Sequence, residues 1–326
     1  MSGLVAHGGV RRVSATAQSA GAATVEGVSR SQTGLLAAVG AWLLWGLFPL
    51  YWPLLEPASP VEILGHRIVW SLVFLTALLA VTSGFGWVRR LGLRAAALLT
   101  VAAVLVSVNW AVYIYGVNSE HVVETSLGYF INPLVTVVLA IAFLHERLRR
   151  RQGLALAVAV AGVLVLTIDY GRVPWIALTL ALTFGSYGLV KKQAGVDGPQ
   201  SLAVETAVLV LPASAYLLWL GGTGEGTFTT EGTAHTALLI GAGIVTALPL
   251  MLFGAAAVRI RLSTLGLLQY ITPTIQFLIG VLFYGEPMPL SRLAGFALVW
   301  IALVVLILDA LGAARARMAA PAAAPA

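Results

Sequence analysis

Apolar runs of about twenty residues recur between residues 33 and 310, separated by short polar connectors, and this pattern fixes the solvent before it fixes a topology. A transmembrane helix needs about 20 predominantly apolar residues. Ten runs come close to that length, at approximately 33–52, 61–81, 95–116, 122–143, 153–169, 173–190, 201–220, 235–257, 263–284 and 290–310. Only 10% of the residues are charged and 59% are hydrophobic, whereas a soluble domain carries roughly 25% charge. The expected fold is therefore an all-α membrane protein with ten transmembrane helices.

The connectors give an independent reading of orientation, because Lys and Arg accumulate in cytoplasmic loops. Arg89, Arg90 and Arg94 follow the second run, Arg147, Arg149, Arg150 and Arg151 the fourth, and Lys191 and Lys192 the sixth. Arg259 and Arg261 follow the eighth, Arg315 and Arg317 the tenth, and Arg11, Arg12 and Arg30 lie in the N-terminal segment. Sixteen basic residues thus fall on one side, against Arg172 and Arg292 on the other, with Arg67 inside a run. Both termini are expected in the cytoplasm of a cell with this protein in its inner or plasma membrane. The net charge of +6 is accounted for by this loop asymmetry, so no nucleic-acid partner is expected. Residues 1–32 are rich in Ser, Ala and Gly without an apolar core, and residues 311–326 are of low complexity. Both read as disordered cytoplasmic tails, the first not as a cleaved signal peptide. The chain has no Cys, which excludes disulfides and thiolate sites.

Sliding the chain on itself by 140 residues places LGYFINPL on LLQYITPT, with Ile131 on Ile271, Asn132 on Thr272 and Pro133 on Pro273; Phe143 and Glu146 fall on Phe283 and Glu286. A shift of 139 places Trp45-Gly46 on Phe184-Gly185. Five runs separate equivalent positions, an odd number, so the halves 33–169 and 173–310 are expected to be an inverted five-plus-five repeat.

The prolines give that repeat a chemistry. Pro133 has no N–H, so the Tyr129 carbonyl loses its helical partner, and Pro273 does the same to Gln269. Freed carbonyls in hydrocarbon are costly unless they line protein or a wet cavity, and paired interrupted helices in two halves point to a midplane site. Gln269, Thr272, Pro273 and Gln276 make one stripe of the ninth run, Asn109 and Tyr113 one face of the third. Glu62, His66 and Trp70 share a face of the second, beside Arg67 and Ser71, and the first run contributes Trp42, Trp45 and Pro49. Arg67 and Glu205 should face the bundle interior, since an intramembrane ion costs about 2.5–3.5 kcal/mol on insertion scales. Plainer alternatives stay open for each: an interfacial Glu62, a His66 that only ties helices, an Arg67 that snorkels outward, aromatics that only pack, and capping roles for Glu146 and Glu286. Gly153, Ala157 and Ala161 form a small-residue ridge suited to close helix contact.

LLWGLFPLYW, ILGHRIVWS, SVNWAVYIYGVNS, ETSLGYFINPL, HERL, TALPLMLF and STLGLLQYITPTIQF together resemble the RarD branch of the EamA family, in the drug/metabolite transporter superfamily. The resemblance runs from about Gly34 to Asp309. It implies ten helices from an inverted repeat and a central cavity lined by the first four helices of each half. Family members are usually labelled as chloramphenicol-sensitivity or permease proteins, a label that names no substrate.

The resulting expectation is a secondary transporter of small metabolites or drugs, working by alternating access, with a passive facilitator or channel as the alternative. Its candidate cavity residues are Trp45, His66, Arg67, Asn109, Tyr113, Tyr129, Asn132, Pro133, Gln269, Thr272, Pro273 and Gln276, with His66 and Glu205 as coupling candidates. No GxxxxGK[ST] motif is present, so an ion or substrate gradient would supply the energy. A membrane enzyme is disfavoured, because HERLR is not HExxH and no metal, cofactor or nucleophile constellation appears. The expected partners are a small-molecule substrate, the bilayer and, as an open alternative, a second copy of the chain.

Overall fold

The computed structural model describes residues 31–118, 122–168, 173–283 and 285, with parts of 293–312. The tail through residue 30, Arg172, Glu286, Arg292 and the C-terminal tail beyond residue 312 lie outside the described residues. The chain is helical, with no strand among the described residues. In order, α1 covers 31–46, α2 Pro60–Thr82, α3 Leu93–Asn118, α4 Val122–Leu144, α5 Arg150–Ile168, α6 Trp175–Ala194, α7 Gly198–Thr223 and α8 Thr233–Arg259. The ninth apolar run is divided into α9, Leu262–Leu268, and α10, Ile271–Leu278. Seven helical segments among the described residues are long and apolar enough to cross a membrane, and Leu293–Ala302 is a shorter apolar helix.

The ends of these helices follow from local chemistry. Ser59 caps α2, its hydroxyl accepting from the Glu62 N–H at 3.2 Å, and Pro60 sits at the first helical position, where a missing N–H is harmless. Gly195 and Gly224 end α6 and α7 in the left-handed conformation, with φ of 66° and 76°. α6 runs four residues past its expected end at 190, which draws Lys191 and Lys192 out of the loop and into the last helical turn. Lys192 caps the end of α8 through the Ala257 carbonyl, at 3.1 Å, and the Ile260 carbonyl.

The two prolines act differently. α4 continues through Pro133, so the expected pair of interrupted helices is found in one half only. On the other side the chain turns at Gln269 and Tyr270, four residues ahead of Pro273. The Gln269 carbonyl, deprived of its proline partner, accepts instead from the Thr272 N–H at 3.0 Å. That tighter bond removes the need for a wet cavity at this carbonyl. α4 is packed closely at its proline: a Cβ on Gly266 of α9 would lie 2.7 Å from Thr136 and 3.4 Å from the Pro133 carbonyl.

Helix crossings rest on small residues. α6 packs most extensively on α4 and α3, and α2 on α8 and α7. A Cβ on Gly46 would meet Ile275 at 2.8 Å, and a Cβ on Gly185 would meet Val135 at 3.0 Å. Gly185 follows Gly46 by 139 residues and Ile275 follows Val135 by 140, so the same pair of contacts occurs at both repeat shifts. Glu146 has the capping role foreseen for it. Its carboxylate accepts from the Leu262 N–H at 2.8 Å, the Ser263 N–H at 3.1 Å and the Ser263 hydroxyl at 2.5 Å, closing the start of α9 across the two halves. Glu146→Ala should lower stability by about 0.5–2 kcal/mol, as for a lost helix cap, read by thermal unfolding in detergent.

At Gly243 on α8 a Cβ would lie 2.4 Å from the Trp70 carbonyl carbon, while the Ser71 hydroxyl donates to the Gly243 carbonyl at 2.8 Å. Gly243→Ala must push α2 and α8 apart, with an expected loss of about 1–3 kcal/mol. Gly222→Ala, in open space, is the matched control and should be neutral in the same unfolding measurement. The α5 ridge is a different case: Ala157 and Ala161 are exposed, and the buried residues of α5 are Gln152, Ala155, Ala159, Gly162 and Val163 among those described. Among the described residues, the ridge is therefore not a packing seam. Ala157→Leu should alter the stability of the single chain by less than about 0.5 kcal/mol.

Candidate functional site

Arg67 lies seven residues into α2, or about 10 Å along it at 1.5 Å per residue. Its neighbours come from four other segments. Trp52 is delivered by a short 3-10 turn, Trp52–Leu55, between α1 and α2, and Trp110 projects from α3. Each ring centroid lies 4.8 Å from the guanidinium carbon. Arg67 Nε donates to the Thr246 hydroxyl of α8 at 2.8 Å. The Tyr113 and Tyr129 hydroxyls are near enough to interact with the charge, and their rings meet edge to face at 6.1 Å.

Among the described residues no carboxylate pairs with Arg67. A cation–π contact is worth about 0.5–2 kcal/mol, and an intramembrane Arg costs about 2.5–3.5 kcal/mol on insertion scales. Two Trp rings and one hydroxyl are enough to hold the cation in place, yet they leave its charge without a counter-ion.

Arg67, Ser71, Trp110, Glu205, Thr206 and Thr246 line a pocket with room for about one water molecule. Glu205, buried on α7, is not Arg67's partner. It pairs with Lys191 of α6 at 2.7 Å, and the Tyr187 hydroxyl donates to its other oxygen at 2.8 Å. Lys191 Nζ also donates to the Tyr187 hydroxyl at 3.0 Å. All three side chains are fully buried, so both charges are satisfied within the triad. Lys191 is thus no loop charge, a correction to the topology count that leaves the asymmetry intact. Its i, i+4 spacing from Tyr187 is visible in the sequence, but a Lys beside another Lys at a helix end reads as a loop.

A second gap lies among Trp42, Thr136, Phe184, Phe253, Gly266 and Gln269, without room for a water molecule. Trp42, Trp45, Phe184, Tyr187 and Phe253 pack into one aromatic cluster with adjacent centroids 5.0–6.4 Å apart. The buried Trp42 Nε1 has no hydrogen-bond partner.

The predicted cavity residues therefore divide. Arg67, Tyr113 and Tyr129 come together, and Trp45 and Gln269 belong to the second region. Asn109 is occupied in tying α3 to α6, donating to the Leu180 carbonyl at 2.9 Å and the Thr183 hydroxyl at 3.0 Å. Asn132 accepts from Thr136, Thr272 donates to the Trp42 carbonyl and Gln276 to the Trp45 carbonyl, at 3.2, 2.8 and 3.2 Å. Pro133 and Pro273 shape their helices as described above. His66 stands apart: its ring stacks on Phe228 at 4.6 Å and its Nδ1 accepts from Trp70 Nε1 at 3.2 Å, next to the α7–α8 connector. Trp52, Trp110, Thr246, Tyr187 and Lys191 were not among the sequence candidates, because their roles depend on contacts between helices distant in the chain.

Fold and site together define a multi-pass helical membrane protein with charge enclosed in its bundle. The EamA-like transporter family matches residues 32–168. Protein RarD of Streptomyces exfoliatus is 54% identical, covering 88% of this chain and 92% of its own length. Protein RarD of Escherichia coli is 41% identical, with 86% and 96% covered. An uncharacterized transporter of Bacillus subtilis is 42% identical, with 85% and 94% covered. A crystal structure of a protein 16% identical in sequence superposes with a TM-score of 0.67, covering 89% of this chain and 99% of that one, and supports the fold alone. The chain belongs to the EamA-like transporter family as a RarD-type member, and so to the drug/metabolite transporter superfamily. These relationships point to a transporter rather than an enzyme.

Proposed function

We propose that this protein is a secondary transporter that moves a small metabolite or drug by alternating access to a midplane site centred on Arg67. The observation that carries the reading is a cation inside an apolar bundle, held by Trp52, Trp110 and Thr246 and, unlike the buried Lys191, with no carboxylate partner among the described residues. A purely structural Arg would be expected to be paired or to reach the interface. The ten-helix inverted repeat belongs to this proposal, with repeats at 33–169 and 173–310. The twin contacts Gly46–Ile275 and Gly185–Val135 support it. The basic-rich ends of the helices face the cytoplasm, as do both termini. In this reading the aromatic cluster and the Glu146 contacts with α9 form the closure at the basic-rich end, with Arg67 beyond it.

Of the two coupling candidates, Glu205 is favoured over His66, since it lines the same pocket as Arg67. A passive facilitator is the competing reading. Purified protein in vesicles separates them: coupled transport predicts that an imposed pH gradient drives accumulation of a substrate found by metabolite comparison of null and overexpressing cells. Flux that equilibrates regardless of the gradient would identify a facilitator, and conversion of the substrate would identify an enzyme.

A further inference from the structure

The charge around Arg67 selects among substrates. Among the described residues, each carboxylate and histidine on the helices packed against it has another commitment. On α2, Glu62 accepts from the Thr227 N–H at 2.7 Å, and His66 is held by Trp70 and Phe228. On α7, Glu205 is paired with Lys191. On α8, His235 bonds to the Thr227 hydroxyl at 2.9 Å. On α4, Glu124 accepts from the Ile176 N–H at 2.8 Å. The hydroxyls of Ser71 and Thr206, which line the pocket, donate to the carbonyls of Gly243 and Leu202. Among the described residues, the site thus carries one positive charge without a counter-ion.

We propose that the molecule taken at this site is a monoanion with a flat apolar body, its carboxylate or comparable acid group held by the terminal N–H donors of Arg67. Stacking on Trp52 and Trp110 uses the guanidinium charge but none of its donors, and only the Nε–H is engaged, by Thr246. A guanidinium presents further donors in a fork matched to a carboxylate. The rings of Trp52, Trp110, Tyr113 and Tyr129 supply aromatic faces for the rest of the molecule. Occlusion sharpens the selection. Expelling water strengthens the penalty on a lone charge, so a neutral molecule would leave Arg67 uncompensated as the site closes, and a cation would add to the repulsion. The inference rests on the transporter reading for its site, but its test is a binding measurement.

Benzoate, benzamide and benzylamine share one ring and differ in charge. Each is titrated into the full-length protein in detergent while tryptophan fluorescence is followed, because Trp52 and Trp110 flank the site. Benzoate is expected to bind at least tenfold more tightly than either of the others, Arg67→Gln to bring benzoate within about twofold of benzamide, and Arg67→Lys to keep part of the preference. Equal or tighter binding of benzamide or benzylamine overturns the proposal, as does the absence of saturable binding by all three. The ranking on the wild-type protein needs no variant to fold. Benzoate binding without flux into vesicles would support the anion site and count against the transporter reading. Flux of a neutral compound that benzoate does not inhibit would overturn the anion site and leave transport standing.

Discussion

Arg67→Ala is expected to insert normally and to lose nearly all transport, by a factor on the order of a hundred or more. The variant deletes the one charge at the site that has no ion-pair partner among the described residues, together with the guanidinium donors that a substrate acid group would use, and a charge-assisted bidentate contact is among the stronger hydrogen-bonded interactions. Arg67→Lys should also lose most transport, because an ammonium is a compact, strongly hydrated point charge that neither spreads between two indole faces nor presents a fork. The measurement is flux normalised to folded protein in the membrane. Wild-type flux from a well-inserted Arg67→Ala protein would show that the cation is only a packing element.

The second large effect is on stability. Lys191→Met leaves Glu205 buried without its cation, and Glu205→Leu leaves Lys191 buried without its anion; breaking one side of a buried pair costs about 3–5 kcal/mol. The double variant Lys191→Met, Glu205→Leu should recover much of that loss, since replacing a buried pair with apolar side chains is often neutral. Unfolding of the three variants in detergent gives the coupling energy directly. Additive losses in the double variant would mean that the 2.7 Å pair does not act as a unit. If Glu205 also couples transport to an ion, the stable double variant should equilibrate substrate without accumulating it.

Apolar length makes the helices legible in the sequence because the bilayer imposes it, and the lone Arg67 stands out for the same reason. Proline effects were only half legible. The lost N–H is certain from residue type, but α4 stays helical at Pro133 while the chain turns ahead of Pro273. On one side a tightened Thr272–Gln269 bond takes up the freed carbonyl; on the other α9 packs closely against α4 at Pro133 and Thr136. Helical spacing grouped Asn109 with Tyr113 and Arg67 with Ser71, yet it cannot tell a side chain aimed at a neighbouring carbonyl from one aimed at a cavity. Asn109, Thr272 and Gln276 went to the former use. Trp52 and Trp110, which define the surroundings of Arg67, carry no local signal that sets them apart from the many aromatics of membrane helices and their interfaces.

Alternating access can be tested at one position, because the chain has no native Cys. Thr206 lines the pocket beside Glu205, and its hydroxyl donates only to carbonyls of its own helix, Leu202 at 2.8 Å and Ala203 at 3.2 Å. A Thr206→Cys protein should fold, and its thiol can be challenged with a membrane-impermeant maleimide from each face of oriented vesicles. Under alternating access, labelling from both faces with reciprocal rates is expected: adding Glu146→Gln, which removes a charged contact with α9 at the basic-rich end, should speed labelling from that face and slow it from the other. Labelling from one face only, or rates that rise together on both faces, would contradict alternating access at this site.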